Sequence, residues 1–245
     1  MIRTEWRTHS PRPVAIVLLD RPDKKNALTP AMLDDVCAAL AQAGRRAGAI
    51  VLGGSGTAFC SGFDLSLCKD DSRALAAMLT GLSRAIRLMR ELSVPVVVAA
   101  HGAAIAGGCA LLGGADVVVA HSACKLGYPV VRLGISPAIT APFLIGAIGA
   151  GRIRERLLGG QLVSGDEALA CGLAHQLAAS AEQVIDDAAA LAEILTAKPA
   201  CGIAATKAWM NELDGADRHA NEALATSLSL VGSLEERERM QALWA

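Results

Sequence analysis

Runs of apolar residues and periodic apolar positions divide the chain into short alternating blocks. Val14-Ala15-Ile16-Val17-Leu18-Leu19 is a continuous apolar run closed by Asp20-Arg21-Pro22, which predicts a strand and a turn. Thr29-Pro30 then supplies an N-cap and a first helical residue, with Met32, Val36 and Leu40 on one face behind it. Ala49-Ile50-Val51-Leu52 predicts a second strand, halted by Gly53-Gly54-Ser55-Gly56. Leu75, Leu79, Leu82, Ile86 and Met89 stand at helical spacing in a helix expected from Ser72 to Leu92. Residues 94–100 predict a fully buried strand, and residues 117–120 another.

Strands alternating with helices make this an α/β chain with helices covering the sheet. Sequence repeats and low-complexity linkers are absent. From about Leu191 the pattern becomes wholly helical, over 186–197, 202–214, 218–231 and from Leu234 onward. That shift divides the chain into a core domain, 1–190, and a helical C-terminal region, 191–245. Leu224, Leu228, Leu230 and Val231 find no apolar partner within that tail, so the region is expected to serve oligomerisation.

Composition narrows the classes. Of the 245 residues 53% are hydrophobic and only 19% charged, which excludes a disordered chain. Aromatics are 3%, so the core is expected to pack through small side chains. A net charge of −1 without a basic block argues against a nucleic-acid surface. The N-terminus carries no apolar signal-peptide core, and the longest apolar stretches are too short or too broken by Gly and Pro for a bilayer. The seven cysteines form no Cys-x-x-Cys pair and are read as small buried hydrophobes in a reducing cytoplasm.

Two glycine-bearing turns carry the candidate chemistry. One is Thr57-Ala58-Phe59-Cys60-Ser61-Gly62-Phe63-Asp64-Leu65; the other is His101-Gly102-Ala103-Ala104-Ile105-Ala106-Gly107-Gly108-Cys109-Ala110. The second leads from a strand into a helix expected to begin at about Cys109. Unpaired N–H groups at such a start, approachable over glycine, can hold an oxygen that develops negative charge. In a dry site each donor contributes about 3–4 kcal/mol. A Gly-Gly pair at a helix start also serves packing alone; its pairing with the upstream Gly62-Phe63-Asp64 turn favours the anion reading.

Together with Arg21-Pro22-Asp23-Lys24-Lys25-Asn26-Ala27-Leu28, the late Leu162-Val163-Ser164-Gly165-Asp166-Glu167-Ala168 and Gly172-Leu173-Ala174, and the final segment from Ser233 to Trp244, these turns resemble the enoyl-CoA hydratase/isomerase (crotonase) family nearly end to end. The resemblance implies a crotonase-like spiral of ββα units with a helical C-terminal region, assembled as a homotrimer or a hexamer built as a dimer of trimers. It implies an acyl-CoA thioester as ligand, with coenzyme A part of the substrate and no other cofactor or metal. The oxyanion donors would be the N–H groups of Phe63 and Gly107. Lys24 and Lys25 would lie near the CoA phosphates, unless they are simply a solvated turn. Ala27, Ser61, Asp64, Leu65, Gly108, Ala110, Val130 and Ala138 would border the substrate. The basic C-terminal contact to the nucleotide is not expected from Leu243-Trp244-Ala245.

The chain departs from the family at its acids. The two positions where the family carries catalytic glutamates hold Ala110 and Val130, and the place of a related isomerase acid holds Ala138. Methyl groups cannot shuttle protons, so the ordinary hydration mechanism, which needs a base and an acid, does not transfer. Tyr128, the only tyrosine, is a candidate donor or a packed ring with a satisfied hydroxyl. Asp64, Asp116, His101, His121 and Arg132 are read as structural, and Cys60 and Cys109 as packing. Three readings stay open: a hydratase/isomerase-like enzyme with unorthodox proton transfer, a malonyl-type CoA decarboxylase, and a non-catalytic acyl-CoA binding protein.

Overall fold

The computed structural model describes residues 1–69, 71 and 73–243; the expected helix start at Ser72 and the segment end at Trp244 lie outside the described residues. The chain begins with β1 (Ile2–Arg7) and β2 (Val14–Leu19), then α1 (Pro30–Gly44) and β3 (Ala49–Gly54). After α2 (Arg73–Glu91) come β4 (Val96–Ala99), β5 (Ala103–Ile105), α3 (Gly107–Leu111), β6 (Val117–His121) and β7 (Lys125–Gly127). The second half holds α4 (Ala141–Ile148), α5 (Ala150–Gly159), β8 (Leu162–Val163), α6 (Gly165–Cys171), β9 (Gln176–Ala178) and α7 (Val184–Thr196). It ends with α8 (Ala200–Asp214), α9 (Ala216–Leu228) and α10 (Leu234–Gln241).

The main sheet runs β1-β2-β3-β4-β6-β9; β1 is antiparallel to β2 and every other neighbouring pair is parallel. The continuous apolar runs are explained by burial on both faces. Ala15, Val17, Leu19, Ile50, Leu52, Val96 and Val98 enter the large core under α1 and α2, while Val14, Ile16, Leu18, Val51, Val97 and Ala99 enter a second core under α7. A small second sheet, β5-β7-β8, lies where the candidate turns meet.

The predicted α1 start is observed: the Thr29 hydroxyl accepts from the Met32 N–H at 3.1 Å, with Pro30 at the first helical position. Two expectations are corrected. The helix after Gly107-Gly108 begins at Gly107 rather than about Cys109, because Ala106 already holds the non-helical cap conformation. Leu224, Leu228 and Val231 are not left without partners: α9 packs on α2, α4 and the 3-10 turn Pro137–Thr140, and these side chains join the large core. Exposed apolar side chains of the C-terminal region include Trp209, Met210 and Leu213 of α8 and Leu234 of α10, all more than half exposed. Residue 191, the expected division point, falls within α7, whose alanine face covers the sheet.

Five cysteines are buried, as their surroundings suggested, whereas Cys68 is half-buried and Cys201 exposed. No single helix among the described residues is long and apolar enough to cross a membrane.

Candidate active site

The first turn is built from Asn26. This buried residue sits at φ 56°, a left-handed conformation that asparagine tolerates better than most residues. Its side chain accepts from the Arg21 N–H at 2.9 Å and donates to the carbonyls of Ser55 and Ala58 at 2.9 and 2.8 Å. The Ser61 N–H donates to Lys25 O at 3.0 Å, so the Arg21–Ala27 loop is fastened to the glycine turn. Arg21 adds an ion pair to Asp64 at 2.7 Å. Burial opposes ionisation of Asp64, but hydrogen bonds from Ser66 and Arg21 outweigh it and hold the carboxyl below the usual carboxylate range. Asp64 thereby ties the Arg21 loop to the turn.

The orientation of Phe63 follows from its neighbours. Leu28 donates to Gly62 O at 2.7 Å and accepts from the Asp64 N–H at 2.9 Å. Backbone groups alternate in direction along an extended segment, so the Phe63 N–H turns away from Leu28. Gly62 makes this possible at φ +102°, where a Cβ would also meet Ile105 O at 3.1 Å.

The second turn is zipped to the first. Cys60 N–H donates to Ala103 O, and Ile105 N–H donates to Cys60 O, both at 3.0 Å. Ala106 N–H is taken by Gly127 O at 2.8 Å, leaving Gly107 to open α3. Among the described residues, neither the Phe63 N–H nor the Gly107 N–H has a protein acceptor. The two turns touch: a Cβ on Gly107 would stand 3.0 Å from Phe63 Cε1.

Both turns border one cavity of about 170 Å³. Ser61, Phe63, Leu65, Gly107, Ala110, Tyr128 and Val130 all contribute to its wall, so seven of the sequence candidates converge. Lys24, Lys25, Ala27 and Asp64 do not line it; the two lysines are exposed on the fastened loop outside. Gly108 faces the other way, where a Cβ would meet Cys60 O at 2.5 Å. Ala138 borders a separate surface pocket with Leu157, Leu158 and Leu230. The remaining walls include Leu79, at the end of the 65–79 segment expected to wall the pocket, and Leu82, Ile135 and Ile139, which sequence reasoning did not assign to it.

The cavity is acid-free. Among the described residues no Asp or Glu lines it, and Arg132 is its only charged side chain. Tyr128 is 2% exposed and its hydroxyl donates to Cys109 O at 3.0 Å. Burial lifts its pKa well above the ordinary phenol value, which makes it a packed ring and a poor proton source. Beside it, the enclosed Thr140 hydroxyl has no partner at hydrogen-bond geometry. Burial pushes the thiols of Cys60 and Cys109 up to about 12, against any nucleophilic role. His101 Nε2–H donates to Gly56 O at 3.0 Å, and His121 Nε2 accepts from the Gly102 N–H at 3.0 Å. Asp116 accepts from the Val96 N–H and from Lys207 Nζ, each at 2.7 Å. These groups hold backbone in place.

A doubly covered, mostly parallel sheet, with an apolar, acid-free cavity bordered by both glycine turns, defines an α/β protein with one candidate ligand site where the turns meet. The chain matches the enoyl-CoA hydratase/isomerase family over residues 9–242 and belongs to it. It is 31% identical over 189 residues to a probable enoyl-CoA hydratase of Bacillus subtilis, covering 73% of this chain and 71% of that one. Similarity to a crotonyl-CoA hydratase of Syntrophomonas wolfei is 26% over 204 residues, with 81% and 78% covered. The solved structure of Pseudomonas aeruginosa OdaA superposes with a TM-score of 0.87 at 27% identity, covering 99% of this chain and 98% of the other. The protein is an acyl-CoA enzyme of hydratase/isomerase type.

Proposed function

We propose that the chain binds an acyl-CoA thioester with its carbonyl oxygen between the N–H groups of Phe63 and Gly107, and stabilises the enolate formed when a bond at the α-carbon is broken. The observation that carries this is the pair of acceptor-free N–H groups opening into one apolar cavity. Such donors act where water is excluded and need no reorganisation during the reaction. In this reading the exposed Lys24 and Lys25, on the loop fastened to the same turn, meet the CoA phosphates; their exposure and the Ser61 N–H bond to Lys25 O support it.

Ala110 and Val130 offer no proton, so the enolate exchanges protons with water rather than with a side-chain acid. That favours reactions in which the leaving group is not a proton. Decarboxylation of a malonyl-type thioester is the second reading, and the absence of any carboxylate among the described lining residues supports it. There the carbon–carbon bond to the carboxylate breaks, its electron pair passes into the enolate, carbon dioxide leaves and water supplies the proton. We propose further that the exposed Trp209, Met210 and Leu213 of α8 make the contact of a homotrimer or hexamer.

The test is mass spectrometry of enoyl, 3-enoyl, malonyl-type and saturated CoA thioesters after incubation with the purified protein. The 3-enoyl sample needs chromatographic separation because isomerisation is silent in mass. Water gained, a double bond moved or carbon dioxide lost supports enolate chemistry and selects the reaction. An unchanged panel with tight thioester binding refutes catalysis and leaves the acyl-CoA binding protein.

A further inference from the structure

Among the described residues Arg132 is the one charged side chain in the cavity wall. Arg21 is paired with Asp64, and Arg90 with Asp214 and Asp217; Arg132 has no carboxylate of a described residue within 4.0 Å. It lies in the 3-10 turn Val131–Leu133, two residues beyond Val130, and is exposed while contributing to the cavity wall, which puts it at the mouth. The backbone that carries it is fixed. The Leu133 N–H donates to Val130 O at 2.9 Å, and Gly134, at φ +70°, abuts α10 so closely that a Cβ would stand 2.9 Å from Glu236 Cα. Glu236, the acid packed on that turn, accepts from the Gly232 N–H at 3.0 Å instead of pairing with Arg132.

An unpaired guanidinium at the mouth of an acid-free cavity attracts an anion and can bind a carboxylate through two parallel hydrogen bonds. The methyl groups at Ala110 and Val130 fit the same picture, because glutamates there would repel a second negative charge on the ligand.

We propose that the cavity selects CoA thioesters whose acyl group carries a free carboxylate, with Arg132 as its counter-ion. The inference rests on the thioester reading above and adds the chemical class of the acyl group. The rival anion for the same guanidinium is a phosphate of CoA itself, and the experiment separates the two.

Binding of glutaryl-CoA, valeryl-CoA and free CoA is measured by titration calorimetry on the intact protein and on Arg132→Gln and Arg132→Lys. Glutaryl and valeryl chains have the same length and differ in the terminal carboxylate. The inference predicts that the native protein prefers glutaryl-CoA about tenfold, and that the preference shrinks as salt is raised. Arg132→Gln brings the ratio to about one, and Arg132→Lys keeps part of it. Arg132 is exposed, and a melting curve for each variant confirms that the fold is kept. Equal affinity of the native protein for the two thioesters, both tighter than free CoA, overturns the inference and leaves the thioester site standing. An Arg132→Gln loss that is equal for glutaryl-CoA, valeryl-CoA and free CoA assigns the arginine to a phosphate and also overturns it. Thioesters that bind no better than free CoA overturn the thioester reading, and this inference with it.

Discussion

The two adjacent glycines at the start of α3 are predicted to fail in different ways when each receives one methyl group. In Gly107→Ala the new Cβ stands 3.0 Å from Phe63 Cε1, 3.2 Å from Cδ1 and 3.4 Å from Leu28 Cδ1, all side-chain atoms. The φ at Gly107 is not in the left-handed region, so the backbone admits alanine and the phenyl ring gives by a few tenths of an ångström. The fold survives, but Phe63 and Gly107 are displaced relative to each other. One donor is worth about 3–4 kcal/mol in a dry site, and misplacing it forfeits about 1.4–2.7 kcal/mol of that. In Gly108→Ala the Cβ meets Cys60 O at 2.5 Å and Cys60 Cβ at 2.7 Å. That carbonyl accepts from the Ile105 N–H at 3.0 Å, so it cannot yield without opening the junction of the two turns. The cost is overpacking of about 1–3 kcal/mol, read as lost stability.

Acetoacetyl-CoA makes the first effect visible, since its enolate absorbs in the ultraviolet and can be titrated against pH while bound. Gly107→Ala is expected to raise the apparent pKa of the bound ligand by about one to two, with a urea midpoint close to that of the native chain. Gly108→Ala is expected to lower the urea midpoint. A Gly107→Ala protein that ionises bound acetoacetyl-CoA as readily as the native one, or a Gly108→Ala protein of native stability, refutes the reasoning.

Three further outcomes follow from the structure. Ala106 holds φ 51° and ψ −114°, a conformation suited to glycine, so Ala106→Gly should stabilise the fold by about 1 kcal/mol after the entropy cost of glycine; an unchanged or lower urea midpoint counts against the strain. Lys207 is 8% exposed and its ammonium donates to Met89 O, Val94 O and Asp116 at 2.8, 3.1 and 2.7 Å, so Lys207→Met should cost about 3 kcal/mol by chemical denaturation; less than about 1 kcal/mol would exclude a structural role for this anchor of α8. Burial lowers the pKa of His101 and His175, and the neutral His175 Nδ1 accepts from the Val118 N–H at 2.9 Å. The unfolded chain therefore takes up protons first as pH falls below about 6.5, and stability should decline between pH 7 and 5, before the carboxylates titrate. A flat urea midpoint over that range contradicts it.

The parts of the fold legible in the sequence are those whose local pattern has one physical meaning. Strands β2, β3, β4 and β6 are buried on both faces, so they stand out as unbroken apolar runs. The cap at Thr29 is equally local. By contrast β1 alternates with Arg3, Glu5 and Arg7 as an edge strand, and β5, β7, β8 and β9 are two or three residues long, too short for any period to register. Helix α7 was legible as a helix, yet its alanines say nothing about whether a sheet or solvent lies opposite.

The site divides in the same way. Gly62 and Gly107 announce turns because glycine is demanded there by backbone conformation or close approach, and those turns place Phe63 and the start of α3. The cavity walls from Tyr128 to Thr140 lie in a bridging segment and 3-10 turns without a period, so only the structure separates Val130, on the wall, from Ala138, in another pocket. Gly108 is explained by a contact with Cys60, 48 residues earlier in the chain, which no local pattern carries.

The most direct measurement is a crystal structure with a non-hydrolysable acyl-CoA thioester analogue bound. The predicted result is a carbonyl oxygen about 2.7–3.1 Å from both the Phe63 and Gly107 nitrogens, with the acyl chain against Ala110 and Val130. A carbonyl bound away from either nitrogen, or an acyl chain outside this cavity, would contradict the account.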